Sequence, residues 1–153
     1  MLNARATASP IRRMGAPRLG TAGGSLADDG WSLEAAAFVN HRQYERGAAL
    51  VIPRAHRETI LDLSAAEIAS LYGLARRLAH AMEAAFGACG VNVYQNNGIK
   101  AGQHVPHVHV HVVPRYPTSD PERLFLQRDF PIVPLADLRV IAAALYEPLR
   151  ATV

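Results

Sequence analysis

Apolar and polar positions alternate with a period of two in several short stretches of the chain and with a period near 3.6 in two longer ones. Leu33, Ala35, Ala37 and Val39 alternate loosely between residues 31 and 40, and the run AALVI lies between Gly47 and Pro53. Both stretches predict strands, joined like a hairpin by the polar connection NHRQYERG. Ile68, Leu71, Tyr72, Ala75, Leu78, Ala79, Met82 and Phe86 recur every three or four residues, which predicts an amphipathic helix. Ser64 and Glu67 fit a capping box at its start, and Gly87 supplies its stop. Val91, Val93 and Gln95 alternate against Asn92 and Tyr94 in a further strand, which the turn signal Asn96-Asn97-Gly98 ends. A last helix is expected from about Leu135 to Tyr146, burying Leu138, Ile141, Ala142 and Leu145, after a proline-rich stretch (116–134) with little periodicity.

The most regular pattern is HVPHVHVHVVP at residues 104–114, where His107, His109 and His111 alternate with Val108, Val110 and Val112. A strand is the natural reading, because residues two apart share a face. The valines then face a core, and the three imidazoles share the opposite surface about 6.6 Å apart along the backbone. Pro106 and Pro114 flank the run where a strand could start and stop. With His104, four of the seven histidines fall within eight residues, which chance explains poorly. Two chemistries suit such a face. Imidazole titrates near pH 6.5, so one ring can act as nucleophile or base while a neighbour donates a proton. Alternatively, the rings could converge on a metal. The order strand, strand, helix, strand, strand, helix makes an α+β domain with an antiparallel sheet.

Length and composition narrow the class. The 153 residues, half of them apolar, suffice for one core, and no apolar run approaches the roughly 20 residues needed to cross a membrane. The single cysteine, Cys89, excludes an internal disulfide and cysteine-rich zinc modules, so a cytoplasmic location is expected, with Cys89 a small filler. The net charge of +3 hints at nucleic acid until it is located. Residues 1–27 hold Arg5, Arg12, Arg13 and Arg18 and no acid, which leaves 12 basic and 13 acidic groups in the remainder. The body therefore offers no general polyanion-binding surface, and neither a nucleic-acid nor a membrane partner is expected. Residues 1–27 read as a disordered basic extension in preference to a transit peptide, and residues 28–153 as the folded domain.

NNGIKAGQHVPHVHVHVVPR (96–115) resembles the signature of the histidine triad (HIT) family, His-φ-His-φ-His-φ-φ with φ apolar. Residues 107–113 satisfy every position of it, and the Gly-x-x-Ala-Gly-Gln segment at Gly98 to Gln103 matches as well. FVNHRQYERGAALVIPRAH and LDLSAAEIASL resemble the first half of the same family, so the likeness covers about residues 31–116. It implies a HIT-like antiparallel sheet of about five strands with one long helix and a C-terminal helix. It also implies a hydrolase or nucleotidyl transferase acting at the α-phosphorus of nucleoside phosphoramidates or dinucleoside polyphosphates.

By this resemblance His109 is the nucleophile that forms a nucleotidyl-imidazole, His107 and His111 hydrogen-bond the phosphate and its surroundings, and His56 stands near the leaving group. Asn40 matches a ribose-binding position, Asn96 a polar residue on the phosphate side, and Gln103 and His104 complete the substrate-binding set. His104 departs from the Ser or Thr common at its position. The resemblance further implies a purine nucleotide substrate of the AMP type, no cofactor, no metal and a homodimer. Two other readings compete with it: a regulatory nucleotide-binding protein without turnover, and a metal-dependent hydrolase with His107, His109 and His111 as ligands.

Overall fold

The computed structural model describes residues 34–120, 122–123, 130 and 132–152. The extension expected at 1–27, the start of the first expected strand at 31–33 and parts of the proline-rich stretch lie outside them. Strands β1 (Ala35–Val39) and β2 (Ala49–Pro53) precede the long helix α1 (Ala65–Phe86). Strands β3 (Gly90–Tyr94) and β4 (Val110–Arg115) precede helix α2 (Leu135–Ala151). The sheet is antiparallel in the order β1-β2-β4-β3. Four strands are therefore present among the described residues, where about five were expected. The histidine run adds fewer ladder pairs than its alternation suggests, because pairing begins only at Val110.

Local chemistry explains that late start. Pro106 has no N–H to give a ladder. The N–H of His107 turns back onto the Val105 carbonyl (2.8 Å), and that of Val108 reaches the Arg57 carbonyl (2.7 Å). The segment stays extended enough to keep its alternation, and Val108, Val110 and Val112 are fully buried. Pro114 lies inside β4, not beyond its end. Cys89 N–H donates to the Arg115 carbonyl on the β3 side (2.8 Å), so the nitrogen of Pro114 faces the β2 side. There pairing has already stopped at Ala49 and Val112.

One face of the sheet carries the core. Ala35, Ala37, Val39, Ala49, Val51 and the three valines pack against Leu71, Leu74, Leu78 and Met82 of α1 and against Leu138, Leu145 and Leu149 of α2. Helix α1 starts and stops where its sequence directs. The Ser64 side chain accepts the Glu67 N–H (3.2 Å), and Glu67 Oε2 accepts the Ser64 N–H (2.8 Å). Gly87 ends the helix with φ 68°, a left-handed conformation that costs glycine little.

Three expectations need correction. Tyr72, assigned to the buried stripe, is exposed, because it falls between the stripe positions Leu71 and Ala75. Cys89 is exposed and bonds the Arg115 carbonyl, so it fills no core. Helix α2 runs five residues past Tyr146, through Pro148, although proline in a helix interior costs about 3 kcal/mol. Leu145 and Leu149 are fully buried on either side of Pro148, and burying such side chains contributes about 1.5–3 kcal/mol each. That burial outweighs the defect. Among the described residues no helix is long and apolar enough to cross a membrane.

Candidate active site

The other face of the sheet holds the polar chemistry. Register aligns Phe38, Leu50, His111 and Tyr94 in one row across the four strands. Ile52 occupies the next position on that face toward the loop that carries His56. Phe38, Leu50 and Ile52 are only partly buried, so an apolar floor remains beside the imidazoles.

Hydrogen bonds fix the state of the rings. His107 Nε2 lies 3.1 Å from the Pro53 carbonyl, which can only accept, so this nitrogen carries a proton. Its Nδ1 lies 3.1 Å from Nδ1 of His56. Burial lowers the pKa of His107, with the bond to Pro53 opposing and the charges of His56 and His109 adding, so the ring is neutral near pH 7. A neutral ring protonated at Nε2 accepts at Nδ1, and His56 is the donor. His109 Nδ1 lies 2.8 Å from the His107 carbonyl and must donate to it, so in the neutral form of the ring the lone pair sits on Nε2.

His111 is the most enclosed of the three. Its ring lies parallel to Tyr94 (4.4 Å between centroids, 3° between planes) and meets His109 edge-on at 5.1 Å. Burial, with a smaller contribution from the charge of His109, pushes its pKa down to about 3. The ring is neutral at physiological pH. Its Nδ1 is buried without a hydrogen-bond partner among the described residues, an arrangement that costs free energy unless something binds there.

Loops complete the site. Gln103 is buried, and its amide is occupied: Oε1 accepts the Gly98 N–H (2.5 Å), and Nε2 donates to the Glu58 carbonyl (2.6 Å). It thereby clamps the loop before the histidines to the loop that carries His56. Asn96 Nδ2 reaches the Gly102 carbonyl at 3.4 Å within the same loop, while His104 is exposed beside it. Asn40, buried at the end of β1, accepts the Arg42 N–H at Oδ1 (3.0 Å). It lies on the histidine face one row beyond Phe38, since its N–H bonds the Ala48 carbonyl (2.9 Å). The structure thus joins His56, His107, His109 and His111 in one cluster and holds Gln103 and Asn96 in the adjoining loop. Asn40 stands on the far side of the apolar floor.

Four supporting groups escape a reading of the sequence. The Pro53 carbonyl orients His107, and Tyr94 and Tyr44 flank His111. Asn97 Oδ1 accepts the Ile60 N–H (2.7 Å), tying the two loops a second time. Only Asn97 had a signal, its place in the NNG turn. Among the described residues no group of three or more His, Cys, Asp or Glu side chains is disposed to hold a metal ion. The ring nitrogens follow the same pattern, since both nitrogens of His107 and Nδ1 of His109 already face other partners.

Comparison with known proteins agrees with this geometry. The HIT domain family model matches residues 33–118. The bis(5'-nucleosyl)-tetraphosphatase (asymmetrical) of Schizosaccharomyces pombe is 40% identical over 80 residues, 52% of this chain and 44% of that protein. The adenosine 5'-monophosphoramidase hnt1 of the same organism is 37% identical over 90 residues, 59% of this chain and 62% of that protein. Among solved structures, a Hit-like protein involved in cell-cycle regulation from Bartonella henselae superposes with a TM-score of 0.68 at 26% identity, covering 75% of this chain and 80% of that one. The chain spans about half the length of the curated relatives it matches. A family match over more than half of the residues, on a sheet that gathers three alternating imidazoles, means that the chain belongs to the histidine triad (HIT) family.

Proposed function

We propose that this protein is a nucleotide hydrolase or nucleotidyl transferase that cleaves at the α-phosphorus of nucleoside phosphoramidates or dinucleoside polyphosphates. The observation that carries the reading is the bond from His109 Nδ1–H to the His107 carbonyl, because it makes Nε2 the nitrogen that bears the lone pair in the neutral form of the ring. In the first step Nε2 attacks phosphorus, the bond to the leaving amine or phosphate breaks, and the leaving group departs with a proton from the His56 and His104 side. Water then attacks the nucleotidyl-imidazole, its proton passes to the same side, and a nucleoside monophosphate is released while His109 regains its lone pair.

Charge on the non-bridging oxygens needs a donor that is already in place. His111 suits this role, because its buried Nδ1 has no partner among the described residues and its ring stays neutral. A phosphate oxygen would satisfy it in the tautomer that carries the proton at Nδ1, once the ring turns that buried nitrogen to the substrate. Phe38, Leu50 and Ile52 would carry a purine base, and Asn40 the ribose. Gln103 and Asn96 hold the loop that borders the phosphate side. The relatives named a tetraphosphatase and a monophosphoramidase favour the same chemistry and leave the leaving group open between their two classes.

A homodimer fits the edge strand β3, whose Val93 is 43% exposed on the helix-bearing face. The test of function compares an adenylated amine with a diadenosine polyphosphate, in wild type and in His109→Ala. Wild type is expected to release AMP from at least one of them, and His109→Ala to lose at least about a thousandfold in kcat. AMP that binds well to a wild type that cleaves neither substrate would favour the regulatory alternative.

A further inference from the structure

Tyr94 has no role in the chemistry described so far, yet it makes the closest ring contact in the site. It pairs directly across from His111 in the β3–β4 register, and the two rings stack at 4.4 Å and 3°. Cross-strand neighbours need not stack in parallel, and a leucine or valine would satisfy an edge strand equally well. The stack covers one face of an imidazole whose Nδ1 is buried without a partner, and Tyr44 stands at 5.9 Å to the same ring, itself braced edge-on by Phe130 at 4.6 Å.

We propose that Tyr94 is a positioning residue for the reaction, holding the His111 ring in the plane from which its nitrogen meets the substrate phosphate and shielding that ring from water. The inference rests on the reading of His111 as a phosphate donor. Without the stack, rotation about the Cβ–Cγ bond would let the imidazole turn its edge, and water would reach the face that Tyr94 now covers. Titratable groups face His111 from three sides: His109 on its own segment, Tyr94 on β3 and Tyr44 on the connection between β1 and β2. Strand β2 presents Leu50, which does not titrate. Burial and the neighbouring Tyr44 keep the Tyr94 phenol protonated well above its ordinary range. Water exclusion by Tyr94 therefore adds to what keeps His111 neutral.

Three variants in the full chain test this: Tyr94→Leu, Tyr94→Val in case leucine disturbs the edge strand, and Tyr94→Phe, which keeps the stack. The ring nitrogens of histidine are followed by 15N NMR against pH without substrate, and kcat and KM are measured on the adenylated amine. In Tyr94→Leu and Tyr94→Val the His111 ring is expected to titrate closer to the ordinary value of about 6.5. Their kcat is expected to fall roughly tenfold with KM little changed, and Tyr94→Phe to restore both readouts. A His111 ring that titrates in Tyr94→Leu and Tyr94→Val where it does in wild type, with kcat unchanged, overturns the proposal. The titration needs no turnover, so it decides the role of Tyr94 separately from the hydrolase reading, which the His109→Ala comparison decides.

Discussion

At the scale of single residues, burial keeps two imidazoles of the candidate site, His107 and His111, neutral against different opposition. At His107 burial prevails over the bond of Nε2 to the Pro53 carbonyl, which favours the cation, whereas at His111 burial leaves a cation unsolvated with no such bond to oppose it. Both states carry a stability consequence with a definite sign. A histidine whose folded pKa lies below its unfolded value binds its proton more readily in the unfolded chain, so stability is fully present above the unfolded pKa and falls as pH drops below it. For His111 the window runs from about 6.5, the unfolded value, down to about 3. Urea unfolding at pH 7 and pH 5 is expected to show a loss at the lower pH, and His111→Asn to show a smaller one. Equal losses in the two proteins would remove His111 from that account.

Gln103 makes a second test at this scale. Its amide satisfies the Gly98 N–H and the Glu58 carbonyl, so Gln103→Ala leaves two backbone groups without their partner, at about 1–3 kcal/mol for each that water does not reach. Thermal unfolding of Gln103→Ala should show that loss, together with a lower kcat as the two loops separate. Much of this scale was legible in the sequence, since the alternation of valine and histidine sorted core from site over six consecutive residues. The partners of those histidines were not. The Pro53 carbonyl is 54 residues from His107, and the Tyr94 stack depends on a register set across the loop 95–109. No periodicity encodes either.

At the scale of elements, the capping box of α1 and its glycine stop were written in three residues and formed as written. Strand β4 and helix α2 differ at their ends from what the sequence predicts, and a proline lies near each difference. Pro106 delays the ladder although the pattern continues, and Pro148 fails to end a helix whose buried leucines hold it on both sides. Local chemistry wins where nothing tertiary opposes it, and packing wins where two large side chains are buried. Pro148→Ala is accordingly expected to raise stability by about 1–3 kcal/mol, measured by urea unfolding, because it removes the ring and restores a helical N–H. An unchanged or lower midpoint would show that the helix needs the proline. Gly47→Ala should act in the opposite direction. Its φ of 101° suits glycine alone, and an added Cβ would stand 2.9 Å from the Phe86 ring. A loss of about 1–3 kcal/mol is expected.

At the scale of the whole molecule, the sheet divides labour between its faces. The helix-bearing face supplies the packed core, and the opposite face supplies an apolar floor ending in the imidazole cluster. The central position of β4 gives the histidines a rigid base, while β3 remains an edge with Val93 exposed. Val93→Lys would place a charge on that edge. Sedimentation of the wild type is expected to show a dimer, and Val93→Lys to shift it toward monomer. A monomeric wild type would contradict the dimer.

The proposed chemistry depends most on His109 as a nucleophile, and one measurement bears on it directly. The protein is mixed with an adenylated amine, quenched within the first turnover and digested, and the peptide containing residues 107–111 is analysed by mass spectrometry under alkaline conditions. This peptide is expected to carry one AMP group on His109, and the same peptide from His109→Ala to carry none. Turnover that proceeds with the peptide unmodified throughout, or modified at another histidine, would contradict it.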